Sequence, residues 1–127
     1  MFISKVISSS VIDKEFEVYV TDGAFTVLCY IFPGSSDFLN RKISFLSGYG
    51  VEHICMAEER MCHVAKLKEY FAYSITGYVE SVSSQIIMLG NIKIQLNYPL
   101  PGGIIRGDYV TFSVVRLDVV WQSQSFM

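Results

Sequence analysis

The strongest constraint on the fold lies in the second half of the chain, where residues 73–120 alternate apolar and polar side chains between short turn signals. Successive side chains of a β-strand point to opposite faces, so such alternation favours strands with one buried face. The longest alternating run is Tyr109–Val120, and Gly90-Asn91 has the length and composition of a two-residue hairpin turn. This half of the sequence therefore predicts consecutive β-strands.

Four strands are predicted in this half: Tyr70–Val82, Gln85–Leu89, Ile92–Tyr98 and Tyr109–Val120. Gly77 interrupts the first of them and predicts a bulge or a tight bend. Pro99 and Pro101 predict a loop before the last strand, because proline has no backbone N–H to give to a sheet.

The first half of the chain has the same β character. Four strands are predicted here as well: Ile3–Val11, Lys14–Val20, Phe25–Phe32 and Lys42–Leu46. Asp22-Gly23 separates the second from the third and predicts a hairpin with a type I′ turn, because glycine and aspartate tolerate positive φ. Pro33–Asp37 has the composition of a loop.

Only the middle of the chain departs from this pattern. Ile54, Ala57 and Met61 recur at helical spacing, and the residues between them are good helix formers. The spacing predicts one amphipathic helix over Met56–Lys68. A second interpretation places a further strand within Cys62–Tyr73.

The totals describe an apolar chain of one domain's length, with 127 residues, 51% hydrophobic and 17% charged. We expect a single domain over residues 1–127, with a weak similarity between halves in which Ile43–Phe45 echoes Val110–Phe112. The longest apolar runs, such as Val27–Phe32, are far shorter than the roughly 20 residues of a membrane-spanning helix. The N-terminus does not resemble a secretory signal, which favours a cytoplasmic protein or the mature form of a protein whose leader has been removed. Three cysteines without a disulfide or C-x-x-C spacing favour reduced thiols, with Cys29 buried.

Two motifs in the second half resemble the OB-fold group of small Greek-key barrels. They are G-Y-V-E-S-V at residues 77–82 and R-G-D-Y-V-T-F-S-V at residues 106–114. The resemblance implies a barrel with one ligand-binding face, used for single-stranded nucleic acid, oligosaccharide or a protein partner. The predicted fold is therefore mainly β: a small, partly open OB-like Greek-key barrel of seven or eight strands, with one helix near residues 56–68.

Charge decides between these ligands. The chain has 10 Lys and Arg residues against 12 Asp and Glu, a net charge of −2 and a pI of about 5.6, so it has no overall positive field to attract phosphate. A nucleic-acid site would need exposed aromatic residues beside basic ones. The candidates for such a site are Tyr78, Lys93, Tyr98, Arg106 and Tyr109.

Residues suited to metal binding or catalysis occur only in the middle of the chain. His53, Cys55, Cys62 and His63 have side chains that zinc prefers, but their spacing matches no common zinc motif. Adjacent residues do not form a catalytic dyad by contiguity, and neighbouring glutamates favour a solvent-exposed surface. We predict no catalytic residues, no metal site and no cofactor.

The sequence thus predicts a non-enzymatic binding module that associates with another protein. It would act as a subunit of a complex or as an acidic inhibitor or immunity-type protein. Tyrosine is enriched at protein interfaces, and a low surface charge permits association. The alternative is an OB-like domain that binds single-stranded nucleic acid.

Overall fold

The fold was obtained as a computed structural model, which describes residues 1–10, 15–32 and 38–120. These residues form eleven strands: β1 Phe2–Ser10, β2 Glu15–Thr21, β3 Thr26–Ile31, β4 Leu46–Tyr49, β5 Glu52–Met56, β6 His63–Lys66, β7 Tyr73–Ser81, β8 Ile86–Leu89, β9 Ile92–Gln95, β10 Tyr109–Val114 and β11 Arg116–Val119. The described ranges contain no α-helix, which confirms the predicted mainly β class. No helix in them has the length and apolarity needed to cross a membrane.

All eleven strands belong to one sheet, in the order β1-β2-β3-β11-β4-β9-β8-β7-β10-β5, with β6 paired to β7 beside β8. Most neighbours are antiparallel, and the parallel pairs are β3 with β11 and β4 with β9. The sheet is not closed into a barrel, because β1 and β5 stand at its two ends and do not pair with each other.

One face of the sheet is buried, and the sheet curls around it. Along β7 and β10 the side chains alternate between buried and half-buried, as in a sheet with one face in the core. The backbone N–H of Leu28 on β3 donates to Tyr73 Oη on β7 at 2.9 Å, although four strands separate β3 from β7 in the sheet. The core therefore lies between distant parts of the same sheet, and Phe112, Ile75 and Leu46 are among its largest buried side chains.

Two hairpins agree with their turn signals. Gly90-Asn91 joins β8 to β9 as a two-residue loop, with φ of 61° at Gly90. The loop between β2 and β3 is longer than predicted, because Thr21 pairs with Thr26 and residues 22–25 lie between them. Within this loop only Gly23 has positive φ, whereas a type I′ turn needs it at both central residues. The hairpin is therefore confirmed, and its type I′ turn is wrong.

Gly77 lies in regular pairing with Val110 and is not a bulge. A Cβ at this position would lie 2.6 Å from Ile87 Cγ2 and 2.7 Å from the carbonyl oxygen of Met88. Glycine is needed here because β8 approaches too closely for any side chain. The irregularity in the pairing of β7 with β8 falls later, between Val79 and Ser81.

The predicted helix over Met56–Lys68 is wrong. Residue 56 ends β5, residues 57–62 cross between strands, and residues 63–66 form β6, which agrees with the second interpretation of a strand within Cys62–Tyr73. Met61, placed on the apolar face of the helix, is 64% exposed. Pairing of β5 with β10 and of β6 with β7 outweighs a local helix propensity of a few tenths of a kcal/mol per residue.

The other differences concern strand limits. Lys42–Leu46 is not a strand, since β4 begins at Leu46 and the preceding residues bond instead to β1. Tyr109–Val120 is divided into β10 and β11 by Val115, whose N–H donates to the carbonyl oxygen of Tyr49. With β5 and β6, this division accounts for eleven strands where seven or eight are predicted. The predicted strand limits Val11 and Lys14 and the loop Pro33–Asp37 lie outside the described residues.

Candidate functional site

The face of the sheet opposite the core carries the residues available for binding. On β7 and β10 this open face is lined by side chains that alternate with the buried ones. Thr76, Tyr78 and Glu80 come from β7, and Tyr109 and Thr111 come from β10. A partner approaching this face would meet hydroxyl groups and aromatic rings rather than an apolar surface.

Three of the predicted binding residues share one row of this face. Tyr109 on β10 pairs with Tyr78 on β7, which pairs with Met88 on β8, which pairs with Lys93 on β9. Residues paired across antiparallel strands point to the same side of a sheet. The two tyrosine rings meet edge to face, with centroids 5.8 Å apart. We call Tyr109, Tyr78 and Met88 the tyrosine row.

Lys93 contributes little positive charge to this row. Its Nζ lies 3.7 Å from a carboxylate oxygen of Glu80, and both side chains are about one-third exposed. Arg106 stands on the turn before β10, where the Gly107 N–H donates to the carbonyl oxygen of Val79. Tyr98 follows β9, directly after Asn97, whose side chain donates to Ser47 Oγ on the β4 side. The strand register therefore brings three of the five candidates into one row, while Arg106 lies on the turn before β10 and Tyr98 lies beyond the end of β9.

Arg60, which the sequence places on the solvent side of a helix, is a functional candidate that sequence reasoning missed. Its guanidinium carbon lies 5.3 Å from the centroid of the Tyr109 ring, and its Nη2 donates to the carbonyl oxygen of Gly107 at 3.0 Å. The N–H of Ala57 also donates to the carbonyl oxygen of Tyr109. These contacts hold residues 57–62, the crossing segment, over the open face. No local sequence signal distinguishes Arg60 from its polar neighbours.

The other end of the crossing segment is held by a thiol. Cys62 Sγ accepts a hydrogen bond from the N–H of Gly90 at 3.3 Å and donates to the carbonyl oxygen of Met88 at 3.5 Å. The crossing segment is thereby fixed to the β8–β9 hairpin as well as to β10.

A cleft of about 270 Å³ lies beside the crossing segment. Its floor is the pair Thr76 and Thr111, whose hydroxyl oxygens are 2.8 Å apart. Its other lining residues are Ala57, Glu58, Glu59, Met61 and His63. Within the described ranges neither glutamate forms an ion pair. The cleft therefore contains two carboxyl groups without an ion-pair partner among the described residues.

The four candidate metal ligands do not come together. Cys55, Thr111, Thr76 and His63 occupy successive positions of a row across β5, β10, β7 and β6. With a strand spacing of about 4.8 Å, Cys55 and His63 are roughly 14 Å apart, whereas zinc holds its ligands at about 2.0–2.3 Å. No group of three or more His, Cys, Asp or Glu side chains in the described residues is placed to hold a metal ion. All three thiols are free, and Cys29 is buried as predicted.

A second group of aromatic residues surrounds Arg116, which lies between Tyr30 and Tyr49 at 4.4 and 4.8 Å from the ring centroids. Its guanidinium also makes two hydrogen bonds to Asp118, at 2.6 and 3.0 Å. The bond to Asp118 raises the pKa of Arg116 above its ordinary value. Tyr30, Tyr49 and Asp118 all contact this guanidinium, so the Arg116 side chain links β3, β11 and β4.

The chain matches no protein-family model, no curated protein and no solved structure in the three comparisons made.

Proposed function

We propose that the chain is a non-enzymatic protein-binding module that contacts its partner through the tyrosine row and the crossing segment. The observation that carries the proposal is the stacking of Arg60 on Tyr109 beside Tyr78, next to an exposed Met61. Tyrosine, arginine and methionine are enriched at protein interfaces, and tyrosine and arginine supply most hot spots. The Tyr109 ring already contacts Tyr78 and Arg60, which reduces the conformational entropy that is lost when a partner covers the two tyrosines.

The charges of this surface favour a protein over a nucleic acid. Lys93 is paired with Glu80, and Arg60 is engaged with Tyr109 and Gly107. The neighbouring cleft adds two carboxylates. An acidic, aromatic surface is consistent with a subunit of a cytoplasmic complex or with an acidic inhibitor or immunity-type protein.

The proposal includes an OB-like Greek-key core. Strands β7, β8 and β9 follow one another as antiparallel neighbours, and β10 returns by a long connection to pair with β7. The spatial order β10-β7-β8-β9 supports a Greek key. In OB folds the ligand face is formed by the second and third strands; under the proposed Greek key these are β8 and β9, and β8 contributes Met88 to the tyrosine row.

Single-stranded nucleic acid is the second candidate ligand, and the row that joins Tyr109, Tyr78 and Lys93 is the observation that favours it. Stacking on the Tyr109 ring requires displacement of Arg60 from its face. Retention on an immobilised single-stranded oligonucleotide tests this function, because phosphate contacts weaken steeply with salt. We expect no retention at about 50 mM salt; salt-dependent retention that is lost in Tyr78→Ala would favour nucleic acid.

The protein-binding function is tested by affinity capture with mass spectrometry and by size-exclusion chromatography. Tyr78→Ala should weaken capture of the partner at least about tenfold, since a buried aromatic hot spot contributes about 2 kcal/mol or more. Tyr98→Ala is the matched control, because Tyr98 is 52% exposed and lies outside the row. A monomer that captures nothing, or capture that is equal for the two variants, would contradict the proposal.

A further inference from the structure

The outer edge of β5 continues the surface of the crossing segment. β5 is the last strand of the sheet, and in the described part of the chain it pairs only with β10. Four of its five residues are exposed, including Cys55 and Met56, and Met56 is 54% exposed. An edge strand of this kind presents unpaired backbone groups that a further strand can bond.

The register identifies which backbone groups point outward. Met56 pairs with Val110 and Cys55 with Thr111, while the N–H of Ala57 donates to the carbonyl oxygen of Tyr109. In an antiparallel ladder, neighbouring residues direct their N–H and C=O groups to opposite sides. Because Ala57 is bonded to β10, the N–H and C=O groups of Met56 point away from the sheet. No described residue bonds to them.

The charged residues from β5 to the start of the crossing segment, residues 52–59, are of one sign, and the next residue, Arg60, is held over Tyr109. Glu52, Glu58 and Glu59 are exposed, and residues 52–59 contain no lysine or arginine. In the part of the chain that the structure describes, none of these carboxylates has an ion-pair partner. An extended segment that carries lysine or arginine would satisfy both the backbone groups of the edge and these charges.

We propose that β5 is a docking edge for an extended basic segment of the partner protein, which adds to the sheet beside Met56 and places its cationic side chains near Glu58 and Glu59. This inference rests on the proposed protein-binding function and names the chemistry of the partner. The main-chain hydrogen bonds provide affinity, and the carboxylates select for positive charge.

The test uses a nine-residue peptide of alternating valine and lysine, with the same peptide carrying glutamate in place of lysine as its control. Affinity is measured by fluorescence anisotropy at about 50 and 200 mM salt, and the binding site by NMR chemical shifts. We expect the lysine peptide to bind, to weaken at the higher salt and to shift the amide of Met56. The glutamate peptide should not bind.

Two variants separate the backbone contribution from the charges. Met56→Pro removes an N–H that takes no part in pairing with β10, so the chain should remain folded and lose peptide binding at least tenfold. Met56→Ala should bind the peptide like the original chain.

The double variant Glu58→Gln/Glu59→Gln should weaken binding roughly three- to tenfold, as expected for two exposed ion pairs. Glu80→Gln removes one carboxylate elsewhere on the open face and should have less effect than either single variant, Glu58→Gln or Glu59→Gln.

Failure of this inference is distinguishable from failure of the proposed function. If a captured partner depends on Tyr78 but binds equally to Met56→Pro, the edge proposal is overturned and the binding function stands. Concentration-dependent self-association that Met56→Pro abolishes, with no binding of the lysine peptide, would identify a second copy as the occupant and also overturn it. If no partner is captured at all, the proposed function itself fails.

Discussion

The two end strands of the sheet differ in how their outer backbone groups are used. At the start of β1 the chain covers its own edge: the N–H of Ile3 donates to the carbonyl oxygen of Arg41, and the N–H groups of Asn40 and Ile43 donate to the carbonyl oxygens of Ile3 and Met1. At β5, no described strand or loop covers the outer side. Among the described residues, the start of β1 is therefore covered, whereas the outer side of β5 is open.

The charges at the two ends are also opposite. Exposed Lys5, Arg41 and Lys42 lie at the β1 end, whereas Glu52, Glu58 and Glu59 lie near β5. An exposed edge strand invites association with other chains, and natural proteins usually cover it or place charges there. The acidic edge at β5 is therefore the one left available to a partner.

The largest expected effect is on stability, because the two end strands of the sheet, β1 and β5, differ in burial. Ile3 on β1 is fully buried, so Ile3→Ala should lower the free energy of unfolding by about 2–5 kcal/mol. Ile54 on β5 is only partly buried, and Ile54→Ala should cost less than about 2 kcal/mol. Urea unfolding of both variants measures the difference. Equal losses would show that the β5 end is packed as firmly as the β1 end.

The next prediction concerns Asp22, which fastens the β1 side of the sheet to its centre. Its carboxylate accepts hydrogen bonds from the N–H groups of Ala24 and Phe25 in its own turn and from the N–H of Asn91 in the β8–β9 hairpin. Asp22→Ala removes all three bonds and should lower the free energy of unfolding by about 1–3 kcal/mol. Asp22→Asn, which keeps one oxygen acceptor, should lose less. Equal stability of Asp22→Ala and the original chain in urea would contradict this role.

The same contacts predict a dependence on pH. Partial burial opposes ionisation of Asp22, but the hydrogen bonds from Phe25, Asn91 and Ala24 outweigh it and lower the pKa of the carboxyl group. The stabilisation is thus fully present above the unfolded-state pKa of about 3.9 and is lost as the pH falls through the lower folded-state value. Urea midpoints measured between about pH 6 and pH 2 should converge for Asp22→Asn and the original chain at the acid end. A difference between the two urea midpoints that increases toward low pH would contradict the lowered pKa of Asp22.

A smaller effect is expected from Arg60, which fastens the crossing segment on the β5 side. Arg60→Ala removes the stacking on Tyr109 and the bond to Gly107, a loss of about 0.5–1 kcal/mol for a contact at an exposed site. Hydrogen exchange of the Ala57 amide, which bonds to Tyr109, should become faster. Arg60→Lys retains the charge and loses the planar group, so it should give an intermediate rate. Unchanged exchange in Arg60→Ala would show that the crossing segment is held by other contacts.

The parts of the fold that the sequence predicts correctly are those with a strict local period. Strands β7 to β10 follow alternation that local residues determine, and Gly90 marks its turn. Strand β5 could not be predicted in this way, because its pairing is with the distant β10, whereas β6 lies within Cys62–Tyr73, where the second interpretation places a strand. A segment containing Ala57, Met61 and several glutamates has helical propensity, but tertiary pairing decides its structure.

The residues of the candidate site also fall into those that the sequence identifies and those that only the fold reveals. Tyr78, Lys93 and Tyr109 were identifiable as strand residues, yet their meeting in one row depends on registers that no local pattern reveals. Tyr98 does not belong with Lys93 even by the alternation, because residues an odd number apart in a strand point to opposite faces, and Asn97, with φ of 56°, separates it from β9. Arg60 was missed because its contacts depend on the course of a segment predicted as a helix.

The open edge of β5 is tested most directly by amide hydrogen exchange of the dilute, isolated chain, followed residue by residue by NMR. The amides of Ile3 and Ile43 at the β1 end, and of Ala57 beside β5, donate to carbonyl oxygens and should be protected. The amide of Met56, whose N–H points away from β10, should exchange rapidly and become protected when the lysine–valine peptide is added. If the Met56 amide of the isolated monomer were protected as strongly as the Ala57 amide, the edge of β5 would not be open.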